Sequence, residues 1–275
     1  MENIRHTESD VELRILTGIS RLLPRMPKVG AIGNFLKRIY LRKKRNPVET
    51  EIFGYKMVLD PGEYVDAEIL FIPQLYDYRE ISFLEKNLEK GDCFVDVGTH
   101  LGLYSLAASL CVGDEGFVLA LEANPTTCQK LGFTLKRNNI KNITAVNIGV
   151  ADKACTMRLG LNTSGNSGGD SFVISHDEGV DVECLPLLDI LSMHNISKVR
   201  GMKFDIEGFE FRVLRRFFDD APLSLYPDFI ILEFNPEFIA VAGGDSLDLV
   251  KSKGYSEVLR SRLNFVLQKS VAFDK

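Results

Sequence analysis

Apolar residues recur along this chain with two different periods. In residues 93–97 (CFVDV), 116–122 (GFVLALE), 143–150 (ITAVNIGV), 202–206 (MKFDI) and 228–234 (DFIILEF) they run almost without interruption. Parallel strands buried on both faces produce such runs. Helical spacing fills the gaps. Asn124 and Pro125 offer a cap and a first-turn proline for a helix to about Arg137, residues 81–92 read as a helix stopping at Gly91, and Asp245 or Ser246 opens one that Gly254 can end. Strands alternating with helices, joined by right-handed crossovers, predict an α/β fold with a doubly wound, mostly parallel sheet. Residues 51–66 read as a short strand and turn. Residues 162–179, rich in Gly, Ser, Asn and Asp, read as loop, and VDVECLPL after them as a strand. The tail SEVLRSRLNFVLQK predicts two strands around a turn near Arg262 to Asn264, a β-hairpin closing the sheet edge.

The first fifty residues differ from this pattern. Val11, Ile15, Leu16, Ile19, Leu22 and Leu23 recur at helical spacing after a capping box from Ser9 to Glu12, and Val29, Ile32, Phe35, Leu36, Ile39 and Tyr40 form a second stripe. We expect a helical N-terminal extension over 1–50 and one α/β domain over 51–275. Charge divides at the same place. Residues 1–50 hold eleven Lys/Arg against five Asp/Glu, a charge of +6 that includes the run RKKR at Arg42 to Arg45, and the other 225 residues carry −11. The acidic remainder argues against nucleic acid as a partner. Two expectations exist for the extension: helices packed on the body with solvated charges, or an arm that meets a membrane surface or a protein partner. No apolar run approaches membrane-spanning length and the start is too polar for a secretory signal, so a cytoplasmic protein, peripheral to a membrane at most, is expected. Five scattered cysteines without paired spacing predict reduced thiols and no zinc site.

The chemistry concentrates at strand ends. In FVDVGTHLGLYS, Phe94 to Ser105, a strand ends at Asp96 and two glycines four apart, Gly98 and Gly102, open a helix. Lacking Cβ, they allow a sharp turn and close approach of a ligand. Twenty residues beyond Gly102, Glu122 ends the next strand, where a carboxylate can accept both hydroxyl hydrogens of a ribose. A nicotinamide dinucleotide would require G-x-G-x-x-G, and the spacing here is G-x-x-x-G. A nucleoside without phosphates, such as S-adenosylmethionine, fits better. In KFDIEGFE, Lys203 to Glu210, Asp205 ends a central strand and Glu207 follows in the turn. In ILEFNP, Ile231 to Pro236, Glu233 and Asn235 end the next strand and, two residues apart, would point the same way.

Taken in order, DVGTHLGLYS, LALEANP, NIGVADK, VECLPLLDIL, KFDIEGFE and ILEFNP resemble the FkbM family of methyltransferases from Tyr55 to about Pro236. The resemblance implies a Rossmann-like class I methyltransferase fold, S-adenosylmethionine as methyl donor, and methylation of a hydroxyl on a saccharide, polyketide or similar small-molecule or glycan acceptor. It implies cofactor contacts from Asp96, Gly98, Thr99, His100, Gly102, Glu122, Ala123 and Gly149. Position 100, often Asn in related loops, is His here, so His100 can serve cofactor or acceptor.

An alcohol barely ionises at neutral pH, so its proton must pass to a base or a metal must lower its pKa. Asp205, with Glu207 or His100, is the candidate base, and Glu233 and Asn235 are candidate acceptor contacts. A sharper variant places Mg²⁺ on Asp205, Glu233 and Asn235, since hard oxygen ligands suit that ion. The loop at 162–179 is long enough to act as a lid. The competing functions are an NAD-dependent oxidoreductase and a non-catalytic binding module of the same fold.

Overall fold

The computed structural model describes residues 11–24, 30–40, 46–162, 167–174 and 177–270. Ser9 and the basic run Arg42 to Arg45 lie outside the described residues, as do 163–166 and 175–176 within the expected loop. The chain forms two compact units, one of residues 1–78 with 163–168 and the other of 79–162 with 169–275.

The first unit contains helices α1 (Val11–Arg21) and α2 (Gly30–Tyr40), strands β1 (Val48–Ile52) and β2 (Tyr55–Leu59), and helix α3 (Tyr64–Phe71). It therefore takes in residues beyond 50 that the expected boundary assigned to the catalytic part. The strand and turn expected at 51–66 is a hairpin whose two turn residues, Phe53 and Gly54, are both left-handed (φ 52° and 82°), the geometry that matches the twist of paired strands. Helix α3 was not legible. Asp66, Ala67, Ile69, Leu70 and Phe71 are all buried, so its sequence has no polar face to reveal a helical period.

Both N-terminal helices pack on α3 and on each other, and they bury only part of the stripes that the sequence pattern offered. On α1 the packed side holds Leu13, Leu16, Thr17 and Ser20, whereas Val11, Ile15, Ile19 and Leu22 face solvent. The Ser20 hydroxyl donates to the Phe71 carbonyl (2.6 Å) and the Arg21 guanidinium to the Leu70 carbonyl (3.0 Å), two C-terminal acceptors of α3 with no intrahelical partner. On α2 Gly33, Lys37 and Tyr40 turn inward and Ile32 and Phe35 outward.

The second unit begins with α4 (Tyr78–Asn87), which ends four residues before the expected stop at Gly91. There follow β3 (Cys93–Val97), α5 (Leu103–Val112), β4 (Phe117–Glu122), α6 (Pro125–Arg137) and β5 (Ile143–Asn147). Asn124 caps α6 through the amides of Thr126 and Thr127, with Pro125 in the first turn, as the sequence predicts. The run expected as one strand at 143–150 is divided. After β5, β6 (Gly149–Val150) leaves the main sheet and pairs with β8 (Glu178–Leu185), itself antiparallel to β7 (Cys155–Leu161). Helix α7 (Leu187–Met193), β9 (Gly201–Phe204), α8 (Glu210–Asp220), β10 (Phe229–Glu233), α9 (Ile239–Ala242), α10 (Ser246–Ser252) and the hairpin β11 (Tyr255–Arg260) and β12 (Asn264–Lys269) complete the chain.

The main sheet has seven strands in the order β11-β12-β10-β9-β3-β4-β5, parallel except for the terminal hairpin, which supplies one edge. Strand periodicity sorts its two faces. Val95, Val97, Leu119, Leu121, Met202, Phe204, Ile230 and Leu232 point into a core shared with Leu187, Ile190, Leu191, Val213, Leu214 and Phe217 of α7 and α8. The opposite parity carries Asp96, Lys203 and Glu233, with Asp96 and Lys203 directly paired across β3 and β9. No helix among the described residues is long and apolar enough to cross a membrane.

Candidate active site

Strands β3 and β9 are neighbours at the centre of the sheet, with β4 and β5 added on one side and β10 on the other. This reversal opens a crevice at the carboxyl ends of the strands, where ligands of open α/β sheets sit. The turns leaving β3 and β9 are the two segments in which the sequence concentrates its chemistry.

The first turn is built by carboxylates. Asp96, fully buried, accepts the hydroxyls of Thr99 and Ser105 on one oxygen (both 2.7 Å), while its other oxygen, Oδ1, has no partner. Burial raises the Asp96 pKa, opposed by the Lys203 ammonium and the two hydroxyls. Glu122 accepts the backbone N–H of His100 on one oxygen and of Asn124 on the other (2.8 Å each). Its pKa is pushed up to about 7, by burial foremost. The amides of Gly98 and Thr99 donate to the Leu121 carbonyl and that of Gly102 to the Thr99 carbonyl. The amides at positions 98, 99, 100 and 102 are thus satisfied within the protein.

The glycines have protein reasons. Gly98 and Gly102 are left-handed (φ 79° and 84°). A Cβ on Gly98 would collide with the Asp205 carbonyl oxygen, and one on Gly102 would lie 2.5 Å from Leu131 Cδ1. A Cβ on Gly149 would meet Cys184 Sγ at 2.5 Å and the Phe172 ring at 2.9 Å. All three are needed for close packing whether or not a ligand is present. His100 is left-handed too (φ 50°), a conformation that Asn and His tolerate better than most residues. Its imidazole is pushed down to about 4, first by burial, and is neutral at physiological pH. Ala123 is half-buried between Glu122 and the cap Asn124, and Asn147 ties the end of β5 to the Glu122 and Ala123 carbonyls (2.9 Å each).

The second turn is charged. Lys203, 3% exposed, donates to Asp205 at 2.7 Å and lies over the Tyr104 ring, 4.8 Å from its centroid. Burial opposes ionisation of Asp205, but Lys203 and a hydrogen bond from Glu233 outweigh it and hold this carboxyl below its ordinary value. Glu233 is pushed up to about 10 by the charge of Asp205 and by burial. Glu207, left-handed at φ 49°, is pushed up to about 8 by burial and then by Asp205 and Glu210. Asp205, Glu207 and Glu233 each offer a carboxylate oxygen within 4.8 Å of the others. Glu210 is a builder: its oxygens accept the amides of Ile206 (2.8 Å) and Gly208 (3.0 Å), shaping the turn.

Strand alternation does not carry from Glu233 to Asn235, contrary to expectation, because β10 ends at Glu233. Asn235 caps the following 3₁₀ turn, its side chain accepting from the Glu237 amide at 3.1 Å.

Three participants were missed in the sequence. Lys203, on β9 two residues before Asp205, has no role in the sequence reading, although a lysine this near an acid at a strand end is a candidate ion-pair partner. Asp170 accepts from Asn124 Nδ2 (2.6 Å) and the Asn162 amide (2.7 Å). Ser171 donates to the Glu207 carbonyl (2.9 Å) and pairs with Gly160. Nothing in a stretch of Gly, Ser, Asn and Asp marks these two as the anchors.

A mostly parallel sheet in this order, with a glycine loop after β3 and an acid at the end of β4, is the Rossmann-like fold of the class I methyltransferases. The chain belongs to the FkbM family, whose model, the methyltransferase FkbM domain, matches residues 96–257. No curated protein sequence matches the chain. Among solved structures it is similar to an rRNA methylase from Streptococcus thermophilus (14% identity, TM-score 0.42, covering 70% of this chain and 94% of that one). It is also similar to a precorrin-6y C5,15-methyltransferase from Geobacter metallireducens (14%, 0.42, 70% and 88%). A third is M. jannaschii TYW2 in complex with AdoMet (11%, 0.40, 82% and 84%).

Proposed function

We propose that this methyltransferase transfers the methyl group to a hydroxyl of a saccharide, polyketide or similar acceptor, with Glu207 as the general base. The observation that carries the reading is the group Asp205, Glu207 and Glu233 at adjacent strand ends. A cofactor methyl on a sulfonium is already activated, so the protein's task lies with the acceptor and its proton. Glu207, with a pKa near 8, matches the operating range better than Asp205, which Lys203 keeps weakly basic, or His100, which burial makes a poor base. Asp205, fixed by Lys203, and Glu233 are suited to orienting the hydroxyl. Crowded acids also favour the cationic donor over an anionic dinucleotide. The engaged amides at 98, 99, 100 and 102 agree, because a pyrophosphate site needs them free. Glu122 is the proposed ribose ligand, and the orphaned Asp96 oxygen is a buried acceptor for a donor to answer.

Calorimetric titration with S-adenosylmethionine, S-adenosylhomocysteine and NADH tests the cofactor site. Binding of both sulfur nucleosides, weakened in Glu122→Ala, with none of NADH, is expected; unchanged binding in Glu122→Ala would remove that residue from the site. A screen of polyol and phenol acceptors with mass detection of methyl transfer then tests the hydroxyl. Methylation confined to amines would overturn it.

The proximity of the three carboxylate oxygens also favours a second reading, in which Asp205, Glu207 and Glu233 hold a divalent cation such as Mg²⁺. Loss of turnover on chelation and recovery with Mg²⁺ is expected under that reading; turnover indifferent to chelator leaves Glu207 as base.

A further inference from the structure

The N-terminal helices turn apolar side chains away from the unit they belong to. Val11, Ile15, Ile19 and Leu22 of α1 and its C-terminal turn, with Ile32 and Phe35 of α2, are between 49% and 86% exposed. At 100° per residue the four on α1 fall within about 80° of one another, a single stripe. This is not a packing face that lacks its core. The opposite side of α1 is already engaged through Ser20 and Arg21 with the last carbonyls of α3, and α2 is docked through Gly33, Tyr40 and Lys37, the last paired with Glu68 at 2.9 Å. Each helix is thus fixed on one side and apolar on the other.

Charge identifies the occupant. Residues 1–50 carry +6, including RKKR directly after α2, while the other 225 residues carry −11. Arg14 and Arg38, exposed, flank the two apolar faces, and Glu12, half-buried, borders the other edge of the α1 face. An anionic bilayer attracts the first segment and repels the rest, and an apolar face rimmed by cations is what lies in a lipid interface. Neither signal is strong alone. A few side chains entering the interface give weak, reversible binding, and each basic residue near anionic lipid strengthens it. We propose that residues 1–50 hold the protein reversibly on an anionic lipid surface, the helices lying in the interface and not across it.

Flotation of the full chain with vesicles tests this. Binding to vesicles with about 30% phosphatidylglycerol, at least about tenfold weaker on pure phosphatidylcholine and reversed by roughly 0.5 M salt, is expected. The triple variant Ile15→Glu, Ile19→Glu, Phe35→Glu changes only exposed positions. It should lose vesicle binding while keeping the wild-type melting temperature and affinity for S-adenosylmethionine. Absence of binding by the wild type, or binding that survives the triple variant, would overturn the proposal. So would a wild-type dimer in light scattering that the triple variant converts to monomer without any vesicle binding, since a second copy would then cover the faces.

Discussion

The turns leaving β3 and β9 are built alike and used differently. Each follows a central parallel strand and passes a left-handed non-glycine residue, His100 or Glu207, close to a left-handed glycine. In the first, acids are consumed in construction: Asp96 holds two hydroxyls and Glu122 two backbone amides. In the second, Glu210 alone builds, and Asp205, Glu207 and Glu233 crowd one another beside a single buried ammonium. A carboxylate that accepts backbone hydrogens fixes a shape. One facing other carboxylates is held at a high free energy when ionised and is available to a proton or a cation.

The most damaging way to break the comparison is to separate the turns where they touch. Gly98→Ala places a Cβ inside the Asp205 carbonyl oxygen, and both turns must move. We expect a loss above about 3 kcal/mol in denaturant unfolding, with no detectable S-adenosylmethionine binding. Gly243→Ala is the control: its φ is 85° but nothing lies within 4 Å, so only the left-handed cost of about 1 kcal/mol should appear. Equal losses at the two positions would show that contact between the turns does not matter.

Next in size is the ion pair. Asp205→Asn leaves Lys203 buried without its closest carboxylate, a type of change that costs about 3–5 kcal/mol. Lys203→Met in the same chain should recover much of that stability and none of the turnover. A double-mutant cycle gives the coupling, and additive losses would mean that Asp205 and Lys203 act separately.

Much of this was legible beforehand. The parallel strands, the cap at Asn124, the terminal hairpin and the Asp205–Glu207 turn follow from continuous apolar runs, cap chemistry and residues placed at strand ends. The failures have physical causes. Periodicity locates a helix's apolar stripe but does not say which side faces the protein, and on α1 the hydrogen bonds of Ser20 and Arg21 decide it. At 143–150 apolar continuity hides a change of sheet at Ile148. Asn235 was misplaced because strand alternation stops where the strand does. Lys203 was overlooked because a lysine amid apolar residues reads as an interruption, when its partner was Asp205, two residues on.

Glu207 sharpens the comparison through pH. Its pKa in the folded protein is about 8, above the ordinary 4.5. As a base it must be ionised, so kcat/KM should rise with pH through about 8. Bound cofactor, being cationic, should move the corresponding midpoint of kcat lower. Stability runs the other way. A carboxyl with a raised pKa contributes most below its ordinary value, and that contribution is lost as pH climbs through the folded value. Glu122 and Glu210, both raised to about 7, act in the same direction. The melting temperature of the ligand-free protein should therefore fall between about pH 5 and 8. Glu207→Gln should lower turnover about a hundredfold, abolish the rise of kcat/KM near pH 8, and melt higher than wild type at pH 8. A variant that keeps the pH rise would remove Glu207 from the role of base.

The smallest effect asks whether the loop after β7 belongs to the second turn. Ser171 donates to the Glu207 carbonyl and accepts the amides of Val173 and Ile174 at 3.0 and 3.2 Å, so one hydroxyl ties the loop both to itself and to the residue proposed as base. Ser171→Ala removes these bonds from a buried position and should cost about 1–2 kcal/mol of stability. The Glu207 backbone stays anchored by Glu210 through the neighbouring amides, so kcat should change less than about threefold. If the loop covers the acceptor, KM for the acceptor should rise several-fold while the affinity for S-adenosylmethionine holds. Equal weakening of both would move the loop from the acceptor side to the cofactor side, where Asp170 already meets Asn124; an unchanged KM would leave it a structural tether.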